Sequence, residues 1–261
     1  MSAGPEFGCP GAQAGAPPEI LFEAHPHIGT FKLVKVVENL REQIIALGGE
    51  IRFEQRVTDV LIEDSPGGRR IRGLTVLNQS TGTSHELRSD HVVLALGHSS
   101  RDTCTMLYQR GVAMQAKPFS IGFRIEHPQS VIDRARWGRH AGHPRLGAAD
   151  YKLVHHADNG RSVYSFCMCP GGIIAPCATA QDEVVTNGWS PSKRNNPFAN
   201  SGIVVQAPAA MHNDDPLSGM HYQHNVEHAA WKAGGERQTA PAQRLDDFIE
   251  GRLSTNLPEC S

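Results

Sequence analysis

Between Val57 and Gly97 the chain reads as three short extended segments, then an apolar run, and this succession limits the possible folds more than any other stretch. "VTDVLIED", "RRIRGLTVLN" and "SHELRS" each have strand character. "SPGG" and "QSTGT" between them supply turn residues, so the three form an antiparallel meander. "HVVLALG" follows, with five apolar residues from Val92 to Leu96 ending at Gly97. Such a run predicts a strand buried on both faces of a parallel sheet, and in open α/β sheets ligands gather at strand carboxyl ends. The small-x-Gly of Ala95-Leu96-Gly97 leaves room there for close passage of a dinucleotide.

The flanking segments extend this reading. Leu33, Val36, Val37, Leu40, Ile44 and Leu47 recur at helical spacing after Thr30, while Lys32, Lys35, Glu38, Asn39 and Glu42 face away. This predicts a helix from Thr30 to about Leu47, stopped by Gly48-Gly49 and followed by a short strand in "EIRFE". Asp102 is expected to cap a second helix through Arg110. Further on, "FSIGFRIEH" alternates like a strand and Pro128 starts a helix to about Trp137. "YKLVHHADNGRSVYSFCMC" predicts a hairpin through Asn159-Gly160. "VVTNGWS" reads as a turn and "SGIVVQ" as a strand, and Asp215-Pro216 opens a helix that Gly234-Gly235 ends. The expected fold class is α/β with parallel strands and a β-meander, an order that builds half of an FAD-type domain, plus a mixed α+β domain. With the family resemblance given below, its divisions are a disordered tail over 1–19, the second half of an incomplete FAD-binding domain over 20–111, a mixed-sheet substrate domain over 112–245, and a returning segment over 246–261.

Composition excludes some functions. A formal net charge of −2 gives no electrostatic reason to expect nucleic acid or an anionic membrane as partner. No apolar stretch approaches the roughly 20 residues of a membrane helix. Six cysteines in 261 residues, with only Cys167 and Cys169 close together, fit reduced thiols in a cytoplasmic compartment.

Four constellations can carry chemistry. The strand end at Ala95, Leu96 and Gly97, with His98 beyond it, is the first. Cys167-x-Cys169, with Cys177 eight residues on, is either a redox pair or two thiols on opposite faces of a strand end. No second close Cys pair completes a metal site, so no metal is assigned. "HNVEH" matches the H-x-x-E-H zinc pattern and would put His224 and His228 on one helix face, but chance matches are easy in a chain with 14 histidines. Lastly, His27 and Thr30 stand at a helix N-terminus that favours an anion, although simple capping by Thr30 uses the same geometry.

"PHIGTFKLVKVVENLREQIIALGGEIRF", "HVVLALGHSSRDT", "KPFSIGFRIEHPQS", "GAADYKLVHH", "VYSFCMCPGG", "VVTNGWS" and "APAQRLDDFIEGR" together resemble an uncharacterised family of NAD(P)/FAD-dependent dehydrogenases, similar to glutathione-reductase-type flavoproteins. The resemblance implies FAD, with NAD(P)H as a further cofactor and an unidentified small molecule as substrate. It implies that the Val57 backbone meets the adenine end and that Ala95, Leu96 and Gly97 form a nucleotide-contacting strand end. Leu96 departs there from the family's Ala-Thr-Gly. It also implies that "CMCPGG" faces the flavin, with Cys169 and Gly171 nearest. Cys169, His98, His27 and His127 are the candidates for catalytic chemistry by residue type.

One departure from the pattern is large. No two of the 26 glycines stand two residues apart, so the Gly-x-Gly-x-x-Gly that seats a pyrophosphate does not occur. The expectation is therefore a central fragment of an FAD-dependent oxidoreductase that binds flavin weakly or not at all. The alternative is a non-catalytic binding module on a flavoprotein scaffold.

Overall fold

A computed structural model of the chain describes residues 10–22, 27–207 and 215–258. The N-terminal residues form a turn of helix, α1 (Pro10–Gln13), which leads to the predicted long helix, α2 (Thr30–Ala46). Only Val36 of the apolar stripe on α2 is fully buried, against Ala14 and Ala16, with Ile20, Ile28 and Leu40 packed beside them. Asn39, expected to face solvent, instead donates from Nδ2 to the Ala14 carbonyl at 2.8 Å. The rest of the stripe is uncovered, and Leu47 is 89% exposed.

The meander is present: β1 (Gln55–Ser65), β2 (Gly68–Asn78) and β3 (Ser84–Arg88) form an antiparallel sheet in that order. Gly73 crosses β3 with φ +141°, and a Cβ there would meet the Leu87 carbonyl, so this glycine sets the spacing of the two strands. Helix α3 (Arg101–Gln109) starts one residue before its expected cap, with Ser100 at the N-cap position. It lies beside β1, where Arg110, just beyond it, is paired with Asp59.

The parallel strands are not seen. Residues 91–97 have no strand pairing; Val92 is half-buried and Val93 through Gly97 are exposed, Val93 by 90%. "EIRFE" likewise forms no strand before Gln55. An all-apolar run is stable as a strand only where neighbours bond both edges and layers cover both faces. No described strand lies beside 92–96, so its composition alone does not make it extended. The observed class is mixed α+β with antiparallel sheets.

The second part is built on a four-stranded antiparallel sheet in the order β4-β9-β6-β5: β4 (Phe119–Pro128), β5 (Val154–His156), β6 (Ser162–Cys169) and β9 (Phe198–Ala207). The predicted hairpin is β5-β6; the predicted strand 201–206 pairs with β6, and the predicted strand 119–127 pairs with the far edge of 201–206. Helix α4 (Gln129–Trp137) follows β4 directly. A two-stranded ribbon, β7 (Ile173–Cys177) and β8 (Val185–Trp189), stands where "VVTNGWS" was expected to turn. Asn-Gly is a hairpin signal when it sits between strands, but here Asn187 and Gly188 pair across to Ala175 and Ile174 within the ladder. Helix α5 (Ser218–Ala233) and short α6 (Leu245–Ile249) complete the chain. Among the described residues no helix is long and apolar enough to cross a membrane.

Candidate functional site

The sheet's middle strand determines where the site lies. All ten β9 residues pair with β4, so both edges of the strand are used and Ala199, Asn200, Ser201 and Gly202 are buried. β6 runs along its other edge until the ladder slips between Phe166 and Cys169. Cys167 occupies this bulge with φ +50°, a left-handed conformation that a Cβ-bearing residue rarely adopts and that re-aims its side chain. The chain then passes Cys169, which is buried, and turns at Pro170-Gly171-Gly172 into β7.

Arg124 reaches across from β4 into the bulge. Its Nη1 donates to the Asn200 Oδ1 at 2.5 Å and to the Cys167 carbonyl at 3.2 Å. Gly188 of β8 presses on the same cluster: a Cβ there would collide with Arg124, Asn200 Oδ1 and the Cys169 sulfur. Asn200 is fully buried, and its Nδ2 finds no hydrogen-bond partner among the described residues.

The two thiols lie together rather than on opposite faces. The Cys169 S–H donates to the Cys167 carbonyl oxygen at 3.5 Å. The neighbouring Cys169 thiol, helped by the Arg124 guanidinium and opposed by partial burial, pulls the Cys167 thiol from 9.0 down to about 5. The same contact and burial push Cys169 up. The pair therefore holds one proton at neutral pH, with Cys167 the exposed thiolate and Cys169 the buried thiol.

The bare backbone after the thiols is fully engaged. Gly171 donates its N–H to Gln129 Oε1 at 2.8 Å and accepts from the Asn196 N–H at 3.2 Å. Its φ is +51°, and a Cβ would run into the Arg194 carbonyl. Gln129 is fixed in turn through Nε2, which donates to the Asp133 carboxylate and to the Ala149 carbonyl. Ser190 Oγ donates to the Pro170 carbonyl at 2.8 Å, while the Ser190 carbonyl accepts the Thr30 N–H at 3.1 Å. One serine thus joins the start of α2 to the Pro-Gly-Gly turn. His27 Nε2 lies 3.1 Å from the Pro191 carbonyl, and Gly29 packs against Ser192. Thr30 and Gly171 are brought to the same region, but their backbone groups are bonded within the protein. A shallow cleft of about 350 Å³ opens beside this junction, lined by Phe31, Trp189 and Pro197 among others.

The remaining sequence candidates lie elsewhere. Val57 is half-buried in β1, opposite Val76. Ala95, Leu96 and Gly97 are exposed, and Gly97 has φ +71° with open space around its Cα. His98 is also exposed, its ring 3.5 Å from Ser99 Oγ. His127 sits 2.9 Å from the Tyr151 hydroxyl, its Nδ1 without a partner among the described residues. Burial pushes the His127 pKa down and the Tyr151 pKa up, so both are neutral at pH 7.

"HNVEH" forms an ion network instead of a zinc centre. His224 Nδ1 donates to Glu183 at 2.5 Å, and His228 Nδ1 donates to the Asp182 carbonyl at 2.8 Å. Glu227 pairs with Arg101, which also pairs with the fully buried Glu183. A guanidinium holds the carboxylates that a metal would need, and no group able to hold a metal ion is found among the described residues. Glu183 was not a sequence candidate; a single glutamate before a Val-Val pair gave no signal of the interaction.

Residues 118–261 match the family described as FAD-dependent protein, C-terminal domain-like. The chain is also similar to an uncharacterized protein of Clostridium beijerinckii, 41% identical over 249 residues. That alignment covers 95% of this chain and 45% of the relative, so the chain spans less than half of the relative's length.

Proposed function

The chain belongs to the FAD-dependent protein, C-terminal domain-like family, and from that premise we propose that it is part of an FAD-dependent oxidoreductase. The family match over 118–261 is the observation that carries this reading. In such a protein the flavin passes a hydride or electrons to or from a small-molecule substrate, and the polypeptide supplies position and electrostatics.

In this reading the four-stranded sheet is the substrate domain. The exposed Ala95-Leu96-Gly97 segment becomes a strand end against the nucleotide half of FAD once neighbouring strands cover Val92 to Leu96. The uncovered stripe on α2 and the exposed apolar run are surfaces that a further layer of a longer protein would bury. The chain carries no Gly-x-Gly-x-x-Gly, so in this proposal it binds flavin weakly or not at all. NAD(P)H as electron donor belongs to the same proposal.

Visible absorbance of the purified chain and of the full-length relative tests this. Flavin is expected in the longer protein and not in the chain. A colourless full-length protein that takes up no FAD on refolding would refute the reading.

A second reading, a cofactor-free binding module, has one observation in its favour. The Thr30 N–H and both backbone groups of Gly171 are already bonded internally, although these were positions expected to meet a cofactor. The same measurement separates the two.

A further inference from the structure

The bulge at the end of β6 brings together three things that bear on thiol chemistry. Cys167 is exposed, in a left-handed conformation that projects it from the ladder. Cys169 is buried two residues on, its S–H donating to the Cys167 carbonyl. Arg124 brings its guanidinium to that same carbonyl from β4, across β9. An accessible thiolate beside a cation and a second thiol is the arrangement of cysteines that oxidise selectively and reversibly.

We propose that Cys167 and Cys169 form a redox site that reduces a hydroperoxide, Cys167 reacting first and Cys169 resolving. This goes beyond the flavin reading and does not depend on it.

The step balances as follows. The Cys167 thiolate attacks one peroxide oxygen and the O–O bond breaks. The departing oxygen takes a proton from water and leaves as an alcohol, or as water when the oxidant is hydrogen peroxide. Cys167 becomes a sulfenic acid, oxidised by two electrons. The Cys169 sulfur then attacks the Cys167 sulfur, the S–O bond breaks, and the S–H proton leaves with the hydroxide as water. The product is a Cys167–Cys169 disulfide, and any external dithiol restores the starting pair.

Each residue has a defined part. Arg124 stabilises the thiolate and the negative charge that grows on the departing oxygen. Cys169 is a poor nucleophile while Cys167 carries the charge, because burial and the neighbouring thiolate keep its proton on. Once Cys167 is a neutral sulfenic acid that hold weakens, and Arg124 then favours the Cys169 thiolate. The order of the two steps is thus built into the pair. Around the bulge stand Cys169 on its own strand, Arg124 on β4 with Glu126 two residues along, and the neutral Asn200 on β9. β8 contributes backbone at Gly188 and carries no charged side chain.

Intrinsic nucleophilicity falls as thiol pKa falls, so a comparison at pH 7 is uninformative. An ordinary thiol there is only about 3% thiolate but about thirtyfold more nucleophilic, and the two nearly cancel. At pH 6 the ordinary thiol loses another factor of about ten while Cys167 is unchanged.

The full chain is reduced, exposed to hydrogen peroxide at pH 6, quenched with iodoacetamide and mapped by non-reducing peptide mass spectrometry. The expected result is a Cys167–Cys169 disulfide formed about tenfold faster than oxidation of an unhindered peptide cysteine. In Cys169→Ala a sulfenic acid at Cys167 should be trapped by dimedone. Cys167 left reduced in the unmodified chain while Cys104 or Cys177 oxidises would overturn the proposal without needing any variant to fold. So would a Cys167 rate that falls tenfold per pH unit between pH 8 and 6.

Discussion

Residues 30–112 and the described residues of 118–254 use bare backbone differently. In the second part, bare backbone has partners: Gly171 is held by Gln129, Asn196 and Arg194, and Gly188 is wedged among Arg124, Asn200 and Cys169. In the first part, Gly97 has open space around it and Val92 to Leu96 run beside no other strand. Burial follows partners rather than hydrophobicity. A strongly apolar pentapeptide remains in solvent, while an asparagine, a serine and a glutamate are the largest fully buried side chains among the described residues of the other part.

That contrast can be broken by substitution. Gly171→Ala should cost about 4 kcal/mol, since its Cβ must displace backbone and adopt positive φ. Gly97→Ala, with the same sign of φ and no neighbour, should cost about 1 kcal/mol. Thermal unfolding of the two variants measures the difference, and equal losses would mean that the packing at Gly171 contributes nothing. Arg101→Met should cost about 3–4 kcal/mol, because it strands the buried Glu183 charge. Arg88→Ala, which removes an exposed pair with Glu86, should change urea midpoints by less than about 1 kcal/mol.

A pH titration of stability sharpens the same comparison. Burial pushes Glu183 up, but hydrogen bonds with His224 and Glu227 and the Arg101 charge outweigh it, holding the carboxyl below 4.5. The folded value is the lower one, so the carboxylate's contribution is complete above pH 4.5 and disappears as pH falls through the folded value. Unfolding followed at the tryptophans should show this loss in wild type and not in Glu183→Gln. The smallest effect, at Val37, belongs to α2. Val36→Ala should cost about 2 kcal/mol, and Val37→Ser, one residue along, less than about 0.5 kcal/mol. A large loss from Val37→Ser in the isolated chain would show that the uncovered stripe is packed in solution.

Much of the local structure was legible. The helix from Thr30, the meander, the hairpin through Asn159-Gly160 and the helix before Gly234 all carry their periodicity in adjacent residues. What failed depended on partners. "HVVLALG" and "EIRFE" have strand composition, but a strand needs a neighbour, and a pattern along one chain contains no information about what lies beside it. "VVTNGWS" failed the opposite way: Asn-Gly signalled a turn, and pairing with Ile173–Cys177 overrode it. The site was visible as residues and not as a geometry. Cys169 and Gly171 were candidates through the resemblance carried by "CMCPGG". Arg124, Asn200 and Gln129 were not, because each is one unremarkable polar residue that acquires a role only when β4, β9 and β6 align. His224 and His228 showed the reverse, a legible motif whose partners Arg101 and Glu183 gave it another use.

Ser190 has a consequence for how the protein assembles. Its contacts with Thr30 span 160 residues, and those with Pro170 span 20. Closing a loop of the first length costs more chain entropy than closing the second, although the difference grows only logarithmically. The sheet around β9 can therefore form before α2 arrives, and the Thr30 contact is a late event in folding. During synthesis α2 leaves the ribosome long before its anchor exists. Its N-terminus must wait for a partner until the chain just beyond β8 has been made, while Val36 can pack at once on Ala14 and Ala16.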